Sequence, residues 1–110
     1  MSDLVRLDLE RRDEVVVARV SGELDVAGTP STREAIGEAV PTTARGLVVD
    51  FSELEFIDSS GLRTLLTARR RAEDAGAAFS LIAGHRGLER TLEIAGVHKV
   101  FTWTPAEEIA

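Results

Sequence analysis

The chain is expected to fold as an α/β domain, a mixed sheet of four to five strands with helices packed on it. Three observations support this. Two alternating stretches, Val5 to Glu10 and Glu14 to Ser21, read as an antiparallel hairpin. The apolar run Leu47-Val48-Val49 is too short for a helix and rich in β-branched residues, which suits a strand covered on both faces. From there to the end of the chain, helical and strand patterns alternate, and right-handed crossovers join such elements.

In the first stretch Val5, Leu7 and Leu9 alternate with Arg6, Asp8 and Glu10, and Arg11-Arg12-Asp13 reads as the turn. The second has Val16, Ala18 and Val20 on one face and Val15, Val17 and Arg19 on the other. Its apolar character on both faces puts it further inside the sheet than the first. Gly22 to Gly28 reads as a loop. Thr29-Pro30 opens a helix that carries Ala35, Ile36, Ala39 and Val40, and Pro41 ends it. The central strand follows from Leu47.

A second helix runs from about Ser60 to Ala75, with Leu62, Leu65, Leu66, Ala68 and Ala72 at helical spacing and Gly76 as its terminating residue. Arg69, Arg70 and Arg71 lie on a solvated face. Ala78 to Ala83 is the next strand, with Phe79, Leu81 and Ala83 on one side. Leu88, Leu92 and Ala95 form a short amphipathic helix closed by Gly96, and Val97 to Phe101 is expected to add a short fifth strand. Thr104-Pro105 starts a terminal helix that the chain barely continues.

Composition narrows the function. The 110 residues suit one domain, 1–110, and 44% hydrophobic with 29% charged residues is ordinary for a soluble protein. No stretch has the length or apolarity to span a membrane, and no basic-then-apolar leader is visible, so no direct membrane insertion is expected. The absence of cysteine excludes disulfides and thiolate metal sites and is compatible with the cytoplasm. A net charge of −6 disfavours nucleic acid as a partner.

The chemistry concentrates where the central strand gives way to the second helix. Phe56-Ile57-Asp58-Ser59-Ser60-Gly61-Leu62 places three good capping residues at a helix start. Helix starts leave N–H groups unpaired and carry a partial positive charge, which favours an anionic group such as a phosphoryl on Ser59 or Ser60. The same residues also suit nothing more than a well-capped helix. Arg63, four residues beyond Ser59, is placed to pair with a phosphate or simply to face solvent.

Asp50-Phe51-Ser52 followed by Ile57-Asp58-Ser59-Ser60-Gly61-Leu62 resembles the signature of the STAS domain, the fold of bacterial anti-sigma factor antagonists. Gly22-Glu23-Leu24-Asp25 is similar to that family's loop between its second strand and first helix, and the order of elements matches over nearly the whole chain. The resemblance implies phosphorylation at Ser59, with Ser60 as the second choice. It also implies a docking surface that includes Glu23, Asp25, Asp58, Ser59, Ser60, Gly61 and Arg63. Arg63 departs from the pattern, because family members often carry glycine there. The implied partners are an anti-sigma factor that is also a serine kinase, using ATP as phosphodonor, and a serine phosphatase of the metal-dependent class. The unphosphorylated form would bind the anti-sigma factor and free the sigma factor, and phosphorylation would switch binding off. A different role within the same family is an adaptor subunit of a lipid ABC transporter or a stress-sensing assembly.

Nothing points to an enzyme. Ile57 stands where a Gly-x-Ser-x-Gly nucleophile elbow needs its first glycine. His85 and His98 have no carboxylate at motif spacing to orient them and read as surface histidines. No glycine-rich phosphate loop or metal-ligand cluster is recognisable, so no cofactor or metal of the protein's own is expected.

Overall fold

The computed structural model describes residues 5–24, 45–83 and 86–105. The helix expected from Thr29 and the one expected from Thr104-Pro105 lie outside these residues, as do Asp25 and His85. Within them the chain forms β1 (Val5–Arg12), β2 (Val15–Leu24), β3 (Gly46–Asp50), β4 (Leu54–Ile57), α1 (Ser59–Asp74), β5 (Ala78–Ile82) and α2 (Arg86–Ile94), then a single 3-10 turn at His98–Val100. The strands build one mixed sheet in the order β1-β2-β3-β5, with β4 also paired to β2.

β1 and β2 are antiparallel, from Val5 opposite Gly22 to Arg12 opposite Val15. The turn therefore falls at Asp13-Glu14, later than the Arg11-Arg12-Asp13 expected, and both arginines belong to the strand. Asp13 takes the left-handed conformation the tight turn needs, at φ 55°, which aspartate tolerates better than most residues. Leu9 is exposed, so β1 contributes to the core chiefly through Val5 and Leu7.

β2 is the organising strand. Its first half pairs in parallel with β3, from Val15 opposite Gly46 to Arg19 opposite Asp50. Its last residues pair in parallel with β4, Glu23 opposite Phe56 and Leu24 opposite Ile57. β3 and β4 thus occupy successive lengths of one edge of β2. The Asp50 carboxylate holds the step between them, accepting from Ser52 N at 2.8 Å and Ser52 Oγ at 2.6 Å. This Asx turn accounts physically for the Asp50-Phe51-Ser52 triplet.

Three expectations are corrected here. The loop expected from Gly22 to Gly28 does not start at Gly22, since β2 continues to Leu24. Gly22 sits at a register shift with φ 87°, so the glycine that signals a break in sequence is a bulge inside a strand. β4 was not foreseen. Only Leu54 and Ile57 of its four residues are buried, and that spacing lacks the two-residue period of a strand. The strand expected at Val97 to Phe101 is instead the 3-10 turn, and the chain meets the sheet later, where Trp103 bridges to Leu81.

One sheet face carries the main core. Val16, Ala18, Val20, Leu47, Val49, Phe79 and Leu81 pack with Leu65, Ala68 and Ala72 of α1, Leu88 and Leu92 of α2, and Phe101. Each fully buried large side chain contributes roughly 1.5–3 kcal/mol relative to exposure. Helical period selects the buried side of α1, which includes Thr64, whose hydroxyl donates to Ser60 O at 3.1 Å. Leu66 falls off that side and is exposed. Val17, Val48 and Ile82 are buried on the opposite sheet face, as strand alternation requires.

At the hairpin, Glu10 receives Arg12 Nε at 2.6 Å and Arg19 Nη1 at 2.6 Å. These hydrogen bonds, Arg12 first and Arg19 second, hold its carboxyl below the ordinary value of 4.5. A depressed carboxylate stabilises the fold fully above its unfolded value, and the gain is lost as pH falls through the folded value. Glu10→Gln is therefore expected to flatten the stability profile below about pH 4.5 and leave it unchanged in shape near neutrality, as measured by urea unfolding at stepped pH.

Candidate functional site

β4 delivers the chain to the start of α1, and the corner is held at Asp58. Its carboxylate accepts from Gly61 N at 3.0 Å, its carbonyl accepts from Leu62 N at 3.0 Å, and its own N–H donates to Leu24 O at 3.2 Å. Asp58 is the N-cap, with extended backbone (φ −109°, ψ −171°), and α1 begins at Ser59. The capping role therefore belongs to Asp58 and not to either serine. Asp58→Ala is expected to cost about 0.5–2 kcal/mol through loss of the cap, read as a lower urea midpoint.

With capping assigned, Ser59 has no structural duty. It is the first helical residue, it is exposed, and its hydroxyl has no hydrogen-bond partner among the described residues. Ser60, the second helical residue, is half-buried. Arg63, one turn on, is exposed and makes no ion pair among the described residues. Helix starts present unpaired N–H groups and a partial positive charge, so a dianionic group on Ser59 is favoured by its own helix.

Gly61 is needed for close approach. A Cβ there would lie 2.5 Å from Ile57 Cγ1 and 2.7 Å from Leu24 O. The first turn of α1 is thus pressed onto the ends of β2 and β4, which fixes the direction in which Ser59 points. Glu23 is half-buried at the end of β2, directly across from Phe56 in the strand register, so both belong to this corner. Phe56 was missed as a surface residue. It is 51% exposed, a large aromatic group open to solvent three residues before Ser59. No sequence signal marked it: Leu54 and Ile57 are buried while Glu55 and Phe56 between them are exposed, a pattern that does not follow strand alternation.

A second grouping, on α2 and the turn beyond it, was also missed. The side-chain donors of Glu89, Glu93 and His98 fall within 4.8 Å of one another. His98 Nε2 stands 3.2 Å from Glu89 Oε1, so a carboxylate does orient this histidine, contrary to the sequence reading. The contact joins residues nine apart through the turn after α2, where no motif spacing would reveal it.

The family model for the STAS domain matches residues 6–110. The chain belongs to the STAS domain family. The anti-sigma-F factor antagonist RsfB of Mycobacterium tuberculosis is 29% identical over 99 residues, covering 90% of this STAS domain and 80% of RsfB. Among solved structures, an anti-sigma factor antagonist from Mycobacterium paratuberculosis superposes with a TM-score of 0.84 at 30% identity, covering 96% of this chain and 90% of that one. The Bacillus cell fate determinant SpoIIAA in its phosphorylated form gives a TM-score of 0.71 at 25% identity, covering 94% and 96%. Its unphosphorylated form gives 0.77 at 25% identity, covering 94% and 92%. The mixed sheet with helices on it is the STAS fold. No helix among the described residues is long and apolar enough to cross a membrane.

Proposed function

We propose that this STAS domain is an anti-sigma factor antagonist whose docking is switched by phosphorylation of Ser59. The observation that carries the reading is the exposed Ser59 hydroxyl at the first position of α1, relieved of capping by Asp58. Support comes from relatives that carry the antagonist name, and from SpoIIAA, whose structures exist with and without phosphate.

In the unphosphorylated state the corner of Glu23, Phe56, Asp58, Ser59, Ser60, Gly61 and Arg63, with Asp25 in the following segment, docks on an anti-sigma factor and displaces the sigma factor. The anti-sigma factor is also the serine kinase and transfers the γ-phosphoryl group of ATP to Ser59. The new dianion is stabilised within its own molecule by the helix start, by roughly 0.3–1 kcal/mol, and by Arg63 one turn away. Docking would strip that dianion of its water, and desolvating a charge at an interface costs several kcal/mol. A serine phosphatase of the metal-dependent class resets the switch. The domain needs no cofactor of its own, performs no catalysis and works in the cytoplasm.

The reading is tested by incubating the protein with purified anti-sigma factor kinases and ATP, then mapping phosphate by mass spectrometry. Phosphate on Ser59, lost in Ser59→Ala, supports it. Phosphate on Ser60 alone, or none with any such kinase, overturns it.

A further inference from the structure

We infer that Glu89, Glu93 and His98 form a binding site for a divalent transition-metal ion of the zinc class. The two glutamates stand one helical turn apart on α2, so both carboxylates leave the same side of the helix. Gly96, at φ 79°, turns the chain after the helix and brings His98 back to that side.

The imidazole is held in place before any ion arrives. Its ring stacks on Trp103 with centroids 4.8 Å apart and planes at 23°, and Trp103 Nε1 donates to His98 O at 3.0 Å. Two contacts outside the donor set thus fix where the histidine sits, and Nε2 faces the carboxylates. A surface histidine of no purpose does not require an indole platform.

Electrostatics point the same way. Carboxylates four apart on a helix repel. Glu93 also lies in the last turn of α2, where the helix dipole disfavours negative charge and that turn holds no basic residue. Glu93 has no ion-pair partner among the described residues, although Arg90 and Lys99 are close in sequence. A neutral imidazole with two carboxylates gives a donor set of charge −2, which a dication neutralises. Imidazole with carboxylate suits zinc and nickel better than magnesium. Tetrahedral donors about 2.0–2.1 Å from zinc stand about 3.4 Å apart. Glu89 and His98 already meet that spacing at 3.2 Å, and the Glu93 carboxylate lies within 4.8 Å of both. Water would fill the fourth position.

Trp103 is the chain's one tryptophan and lies on the ligand itself, so its fluorescence reports occupancy directly. The test is titration of the intact protein with Zn²⁺, and with Mg²⁺ as control, followed by Trp103 emission and calorimetry. The expected result is saturable one-to-one zinc binding with a change in Trp103 emission, together with a rise in Tm of several degrees. Glu93→Gln and His98→Gln should each weaken binding about tenfold or more, with circular dichroism checking that each variant remains folded. Unaltered affinity in folded His98→Gln, or no zinc binding below millimolar concentration in the parent, overturns the site. The result is independent of Ser59, since these residues belong to α2 and the turn beyond it.

Discussion

Ser59→Asp is expected to bind its anti-sigma partner about 100-fold more weakly than the parent, whereas Ser59→Ala binds as the parent does. The two substitutions differ in charge at a position whose side chain has no partner among the described residues, so the fold has little reason to distinguish them. An aspartate at the first position of α1 sits at the positive end of the helix dipole and should leave stability unchanged or raise it by a few tenths of a kcal/mol. Loss of affinity with retained stability is therefore the signature of a charge acting outward. Surface plasmon resonance and thermal melts on the same three proteins provide both numbers. If Ser59→Asp keeps full affinity, an interfacial charge is not the switch. If it loses affinity only because it unfolds, Ser59 is a structural residue after all.

Gly61→Ala is expected to destabilise the protein by about 1–3 kcal/mol or more, the range for overfilling a packed site. Helix propensity taken alone predicts the opposite, a gain of about 1 kcal/mol for alanine over glycine within a helix. Packing decides the sign. The added methyl would lie 2.5 Å from a side-chain carbon of Ile57 and 2.7 Å from Leu24 O, neither of which is the free end of a flexible chain. Leu24 O already accepts the Asp58 N–H, so retreat of that backbone would also break the bond that anchors the cap. Equilibrium urea unfolding measures the loss. A stabilised Gly61→Ala would mean that α1 does not press on β2 and β4 as described, and the orientation of Ser59 would lose its cause. Partner binding by this variant should weaken even under conditions where it remains folded, because the corner must open to admit the methyl.

Elements whose sequence carries its own period were legible in advance. β3 announced itself through a β-branched run, α1 through apolar residues three and four apart and a glycine terminator, and the hairpin through alternation. The corner between β4 and α1 was legible as chemistry, because three capping residues and a glycine stood together. What stayed hidden was set by partners far along the chain. β4 is a strand only because β2 continues past Gly22 to receive it, and nothing in Leu54-Glu55-Phe56-Ile57 states that. Which of Asp58, Ser59 and Ser60 caps the helix could not be chosen from residue type, since all three are competent. Geometry chose Asp58 and so released Ser59. Glu89 and His98 meet because a turn at Gly96 folds one toward the other, a contact that reading for motif spacing does not detect.

The most direct measurement takes protein phosphorylated stoichiometrically on Ser59 and compares it with unmodified protein for both partner affinity and thermal stability. A serine held clear of the fold by its neighbour's cap requires affinity to fall by about 100-fold while Tm stays level or rises. Equal affinity in the two forms, or a phosphorylated protein that melts well below the unmodified one, would contradict it.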